Sequence, residues 1–144
     1  MKPYADTGLL LSLLLPETTT AAAIAAVAPL SSPLPLLPLG LLELRNALNF
    51  AIHRGRITPE ERDALGKRLE SQIRSGFFTL VHLPSADLHE KARELSDRYT
   101  PSLATRSLDL LHVAAAILLG ADTLLSFDSR QCRAAAAEGL IVIP

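Results

Sequence analysis

Short apolar runs alternate with longer helix-like segments along the whole of this 144-residue chain, and no two short runs are joined by a tight hairpin turn. Strands without hairpins need crossover connections, and a crossover that holds a helix brings the chain back parallel to the strand it left. Strands are expected over Lys2–Ala5, Pro33–Leu39, Phe77–Leu83, Thr123–Phe127 and Leu140–Ile143. Helices are expected over Thr7–Leu15, Thr18–Ala28, Leu41–Arg54, Thr58–Ser75, Ser85–Tyr99, Leu108–Leu119 and Ser129–Glu138. The punctuation agrees: Pro16 and Pro29 close helices, Thr100-Pro101 interrupts one, and Thr58-Pro59-Glu60-Glu61 has the hydroxyl, proline and glutamate of a capping box. This order predicts an α/β fold, a three-layer α/β/α sandwich around a central, mainly parallel sheet, in one domain over residues 1–144.

Hydrophobic residues make up 49% of the chain and aromatic residues only 4%, so the expected core is aliphatic. Cys132 is the only cysteine, which excludes an intramolecular disulfide and a cysteine-rich zinc site. It reads as a small packing residue, and the chain as cytoplasmic. Lys2, the run Gly8–Leu15 and AAAIAAVA superficially resemble a signal peptide, but Asp6 cancels the positive end and Pro16-Glu17 stops the apolar run early. The uncharged stretch Ala21–Leu42 contains Pro29, Pro33, Pro35 and Pro38, so no membrane helix is expected there.

Four acids interrupt apolar segments where solvated faces would be cheaper. Asp6 and Asp128 follow short apolar runs, while Glu43 and Asp109 stand at the starts of apolar helices. A carboxylate beside buried surface is costly, and Asp is a poor residue for a helix interior. In a parallel α/β sheet ligands gather beyond the carboxyl ends of the strands, and helix N-termini tolerate anions. Asp6, Glu43, Asp109 and Asp128 are therefore expected to meet in one crevice, each helix acid in the first turn of its helix. Carboxylates that converge without basic partners repel one another unless a cation joins them, and an all-oxygen set suits Mg²⁺ or Mn²⁺. Such an ion supports phosphodiester hydrolysis. With those four of the 15 acids set aside, the 14 Lys and Arg outnumber the rest, which suits a phosphate-backbone partner.

YADTGLLLSLLLPE, LGLLELRNAL, LDLLHVAAAILLGADTLLSFDSRQ and AAEGLIVIP together resemble the PIN-domain ribonucleases, most closely the VapC-like toxins. The resemblance spans nearly the whole chain in order. It implies that Asp6, Glu43, Asp109 and Asp128 hold Mg²⁺ or Mn²⁺, with Asp6 and Asp109 as direct ligands. It further implies that Glu43 ligates the ion or orients the attacking water, and that Asp128 completes the shell through water or a second ion. Thr7 matches the hydroxyl after the first Asp, and Ser126 stands where the family most often has Thr. Gly8 stands where the family commonly has Ser, which removes one possible partner of Asp6. The resemblance also implies an RNA substrate, a protein antitoxin, a homodimer, and a protruding clamp formed by the helices Thr58–Ser75 and Ser85–Tyr99.

Bland alternatives stand beside each assignment. Asp6 would serve as a helix cap, Asp109 as a dipole partner and Asp128 as a turn residue. His112 shares a helix face with Asp109 and reads as a packed or hydrogen-bonded imidazole rather than an RNA contact. Asn46 divides between support for Glu43 and a place on the surface. Arg45, Arg106 and Arg130 either steer phosphate or are solvated. A nuclease of RNA processing without an antitoxin, or a non-catalytic RNA- or protein-binding module, are the alternative functions.

Overall fold

The computed structural model describes residues 1–144. Its elements run β1 (Pro3–Ala5), α1 (Thr7–Leu14), α2 (Thr20–Val27), β2 (Leu34–Leu36), α3 (Pro38–His53), α4 (Pro59–Arg74), β3 (Phe78–Leu80), α5 (Ser85–Leu103), α6 (Ser107–Leu118), β4 (Thr123–Leu125), α7 (Ser129–Ala137) and β5 (Ile141–Ile143). Every strand pair is parallel, as the missing hairpin signals require. Hydrogen bonds join β1, β4 and β5 into one ladder with β4 central, and β2 and β3 into a second. The second ladder lies beside the first, with β2 next to β1.

Alternation along the strands divides the core into two apolar layers. Tyr4 and Leu124 point into a cluster with Leu88 and Leu95 of α5, Val113 of α6 and Ala135 of α7. Their neighbours Ala5 and Leu125 point the other way, into a cluster with Leu9 and Leu10 of α1, Ala23 of α2 and Leu44 of α3. Helices thus cover both faces, giving the α/β/α layering expected from the sequence. No helix is long and apolar enough to cross a membrane.

Two helix boundaries differ from the sequence expectation by three residues or more, for local reasons. The third helix begins at Pro38, not Leu41, because proline suits the first helical position, where its missing N–H costs nothing. The fifth continues through Pro101 to Leu103. Pro101 removes only the bond to the Asp97 carbonyl, on an exposed face that solvent can reach, and Ala104 closes the helix at φ 52°. Of the two helices expected to form a clamp, α4 has no fully buried residue but packs Leu69 and Ile73 against the second apolar cluster beside α3 and β3, whereas α5 contributes Leu88, Ala92 and Leu95 to the core.

Candidate active site

The polypeptide leaves β1 at Ala5 and enters α1 at Thr7, so Asp6 occupies the junction and caps the helix. Its Oδ1 accepts the Leu9 N–H at 2.8 Å and its Oδ2 accepts the Ser126 hydroxyl at 2.6 Å. Only 5% of the residue is exposed. Burial raises the carboxyl above its ordinary pKa of 3.8; the two hydrogen bonds oppose the shift and the nearby Asp128 adds to it. A Cβ at Gly8 would lie 3.6 Å from Oδ1, an ordinary van der Waals contact, so the position has room for a side chain beside this oxygen.

Asp128 caps α7, its Oδ1 accepting the Gln131 N–H at 2.8 Å. It does not end β4, as its place after an apolar run suggested, but lies three residues beyond Leu125. The intervening turn is useful: Ser126 accepts the Asp128 N–H at 3.1 Å while donating to Asp6. One hydroxyl therefore ties the two acidic junctions together. Cys132 donates weakly to the Ser126 carbonyl at 3.3 Å, and burial pushes its thiol up, which suits a packing residue.

Asp109 lies in the first turn of α6, as expected, on a helix whose residues Leu110 and His112–Ala116 are all buried. The expectation of acids without basic partners fails here. Arg106 donates its backbone N–H at 3.2 Å and its Nε at 3.4 Å to Asp109 Oδ2, and its Nη2 stands 3.7 Å from Asp128 Oδ2. The Arg106 side chain is 71% exposed, so water and salt screen these pairs and leave them weak.

Glu43 comes from α3, in the second turn and not the first, because that helix starts three residues early. Gly40 lets α3 approach: a Cβ there would sit 3.1 Å from Leu36 and 3.9 Å from the Thr7 hydroxyl. Thr7 donates to Glu43 Oε1 at 3.0 Å, and His112 Nε2 lies 2.6 Å from the same oxygen. The other ring nitrogen of His112 lies 2.8 Å from the Tyr4 hydroxyl. His112 is buried and hydrogen-bonded, as the sequence suggested, yet it also borders the site.

Asp6, Glu43, Asp109 and Asp128 line one open cleft of about 360 Å³, with Arg106 and His112 beside them. The remaining candidates lie elsewhere. Asn46 is exposed and not among the cleft residues, Arg45 faces Asp63 of α4 at 3.7 Å, and Arg130 donates to the Ala104 carbonyl at 3.3 Å. Gln131 was missed. It borders the cleft, is 2% exposed, and its amide oxygen has no hydrogen-bond partner. Its position three residues after a capping Asp was the only signal in the sequence.

No three His, Cys, Asp or Glu side chains draw together tightly enough to enclose an ion unaided. The donor set nevertheless fits a divalent cation of the hard, strongly hydrated kind, which binds through one or two carboxylates and keeps several waters. Asp6 supports that fit: it is a buried carboxylate with neutral partners only, and a cation would relieve its desolvation.

The PIN domain family model matches residues 4–137. Among solved structures, the chain is similar to VapC20 of Mycobacterium tuberculosis, described as a toxin that cleaves the sarcin-ricin loop, at a TM-score of 0.70 and 20% identity over 99% of both chains. FitAcB from Neisseria gonorrhoeae follows at a TM-score of 0.67 and 19% identity, over 99% of this chain and 96% of that one. A toxin–antitoxin complex from Klebsiella pneumoniae matches at a TM-score of 0.64 and 15% identity, with the same coverage. At these identities the likeness establishes a shared fold. No curated protein sequence matches the chain significantly.

Proposed function

The chain belongs to the PIN-domain family, and from that premise we propose that it is a divalent-metal-dependent endoribonuclease, the toxin of a VapBC-type pair. One observation carries the reading: four acids from four separate segments, at the β1–α1 junction, in the second turn of α3, in the first turn of α6 and at the N-cap of α7, line a single cleft. Charge concentrated in this way, with one exposed arginine against it, is what phosphoryl chemistry with a cation requires.

Asp6 and Asp109 are assigned as direct ligands of Mg²⁺ or Mn²⁺, and Asp128 as a ligand through water. The ion supplies a Lewis acid for the phosphate and lowers the pKa of a water. Glu43 holds the attacking water or ligates the ion. Water gives up a proton to solvent as its oxygen bonds to phosphorus and the bond to the ribose 3′ oxygen breaks, and the departing oxygen takes up a proton, leaving a 5′-phosphate and a 3′-hydroxyl. Thr7 and Ser126 support Glu43 and Asp6 through the hydrogen bonds described above. Asn46 is left with no part, being exposed outside the cleft. Arg106, held only by weak pairs, is free to turn to the RNA phosphate once a cation neutralises Asp109 and Asp128.

The similarity to a solved toxin–antitoxin complex supports a protein antitoxin as partner, one that lays a segment over the cleft and offers Arg or Lys to the acids. A homodimer is proposed too, with support from the exposed Leu42 and Phe50, two turns apart on α3. The toxin acts in the cytoplasm, where RNA and antitoxin are found. Cleavage of RNA with Mn²⁺ tests the reading: Asp6→Ala and Asp109→Asn should abolish it, and equal rates in variants and wild type would remove the site assignment.

A further inference from the structure

His112 is expensive where it stands. It is 4% exposed on a helix otherwise lined with Leu, Val and Ala, and a buried imidazole is stable only if both ring nitrogens find partners. Both do. Nδ1 meets the Tyr4 hydroxyl at 2.8 Å, and Nε2 meets Glu43 Oε1 at 2.6 Å. These partners come from β1 and α3, so the ring joins three elements at the edge of the cleft.

Hydrogen-bond bookkeeping fixes the direction of each bond. Glu43 as a carboxylate only accepts, so Nε2 must carry a proton and donate to it. The Tyr4 phenol is 2% exposed, and a phenol keeps its proton at neutral pH, so that proton needs an acceptor. His112 Nδ1 is its only hydrogen-bond partner, which makes Nδ1 the acceptor. The neutral ring protonated at Nε2 alone satisfies every group. A ring protonated at Nδ1 would leave the phenol proton stranded in the core.

Two donors then converge on one oxygen of Glu43, since Thr7 also donates to Oε1 at 3.0 Å. The other oxygen, Oε2, has no hydrogen-bond partner in the protein, although Glu43 borders the cleft. We propose that His112 is a positioning residue: with Thr7 it saturates Glu43 Oε1, and Tyr4 sets its tautomer, so that Oε2 alone is presented to the cleft for water or a cation. This rests on the metal-dependent reading of the site and adds to it the atom of Glu43 that acts. It also gives polar Tyr4, Thr7 and His112 a reason to stand in a core that apolar residues would fill more cheaply.

The test uses Tyr4→Phe, which keeps the buried ring and removes only the hydroxyl. Long-range ¹H–¹⁵N spectra of the metal-free wild type should show His112 protonated at Nε2 only, and Tyr4→Phe should show a mixture of tautomers. Mn²⁺ affinity and kcat on RNA should fall about 10-fold in Tyr4→Phe, the lower end for lost support of a ligand, while KM for RNA is unchanged. His112→Gln, which retains a donor, should recover part of what His112→Ala loses. A wild-type ring protonated at Nδ1, or Tyr4→Phe with wild-type Mn²⁺ binding, would overturn the proposal. A ring protonated at Nε2 in a wild type that binds no Mn²⁺ would contradict the metal reading while supporting the anchored Glu43.

Discussion

Ser126 Oγ donates to Asp6 Oδ2 at 2.6 Å and accepts the Asp128 N–H at 3.1 Å, so one small side chain sets the relative positions of two cleft acids. Removing the hydroxyl leaves a buried carboxylate oxygen without a donor. Ser126→Ala should therefore lower stability by about 1.5–3 kcal/mol, the range for a hydrogen bond to a charged group, and reduce kcat. Ser126→Thr should restore both. Denaturant titration beside RNA cleavage decides it, and a Ser126→Ala protein of wild-type stability would show the bond to be idle.

The raised pKa of Asp6 fixes the sign of a pH effect. Because the folded protein holds this proton more tightly than the unfolded chain, the stability linked to it is complete below about pH 3.8 and is lost as pH rises through the higher folded value. Above that value, and without a cation, the native state bears a buried charge. In metal-free buffer, Asp6→Asn should therefore resist urea better than wild type, with the gap narrowing as pH falls. A variant less stable than wild type at neutral pH would contradict the desolvation account.

Arg106 competes with a divalent ion for Asp109 and Asp128. Exposed pairs of this kind are worth about 0.2–1 kcal/mol. Replacing the arginine in Arg106→Gln should thus tighten Mn²⁺ binding by up to about fivefold, while KM for RNA rises because a phosphate contact is lost. Calorimetry and steady-state kinetics read the two effects separately. Weaker Mn²⁺ binding in the variant would mean that Arg106 organises the acids instead of competing for them.

The capping box of α4 offers a control remote from the chemistry. Thr58 accepts the Glu61 N–H at 3.1 Å, and Glu61 accepts the Thr58 N–H at 2.9 Å. Thr58→Ala should cost about 1 kcal/mol and leave kcat unchanged. A loss of kcat would show that the exposed face of α4 takes part in RNA binding.

What the sequence made legible was local. Asp6 and Asp128 cap helices beside apolar strands, and such junctions are visible as a charge that ends a hydrophobic run. Parallel strands followed from missing hairpin signals. The partners of His112 were hidden because Tyr4, Thr7 and Glu43 lie 108, 105 and 69 residues away along the chain. Arg106 was equally ambiguous: adjacency to Asp109 was plain, but its reach to Asp128 depends on how α6 and α7 pack. Gln131 gave only its place three residues after a capping Asp, and a glutamine in a first helical turn is ordinarily solvated.

The end groups of cleaved RNA test the central claim most directly. Wild type incubated with Mn²⁺ should leave 5′-phosphate and 3′-hydroxyl ends, and chelation or Asp109→Asn should abolish the products. Cleavage that persists under chelation and leaves 2′,3′-cyclic phosphates would contradict a cation-dependent attack by water in this four-acid cleft.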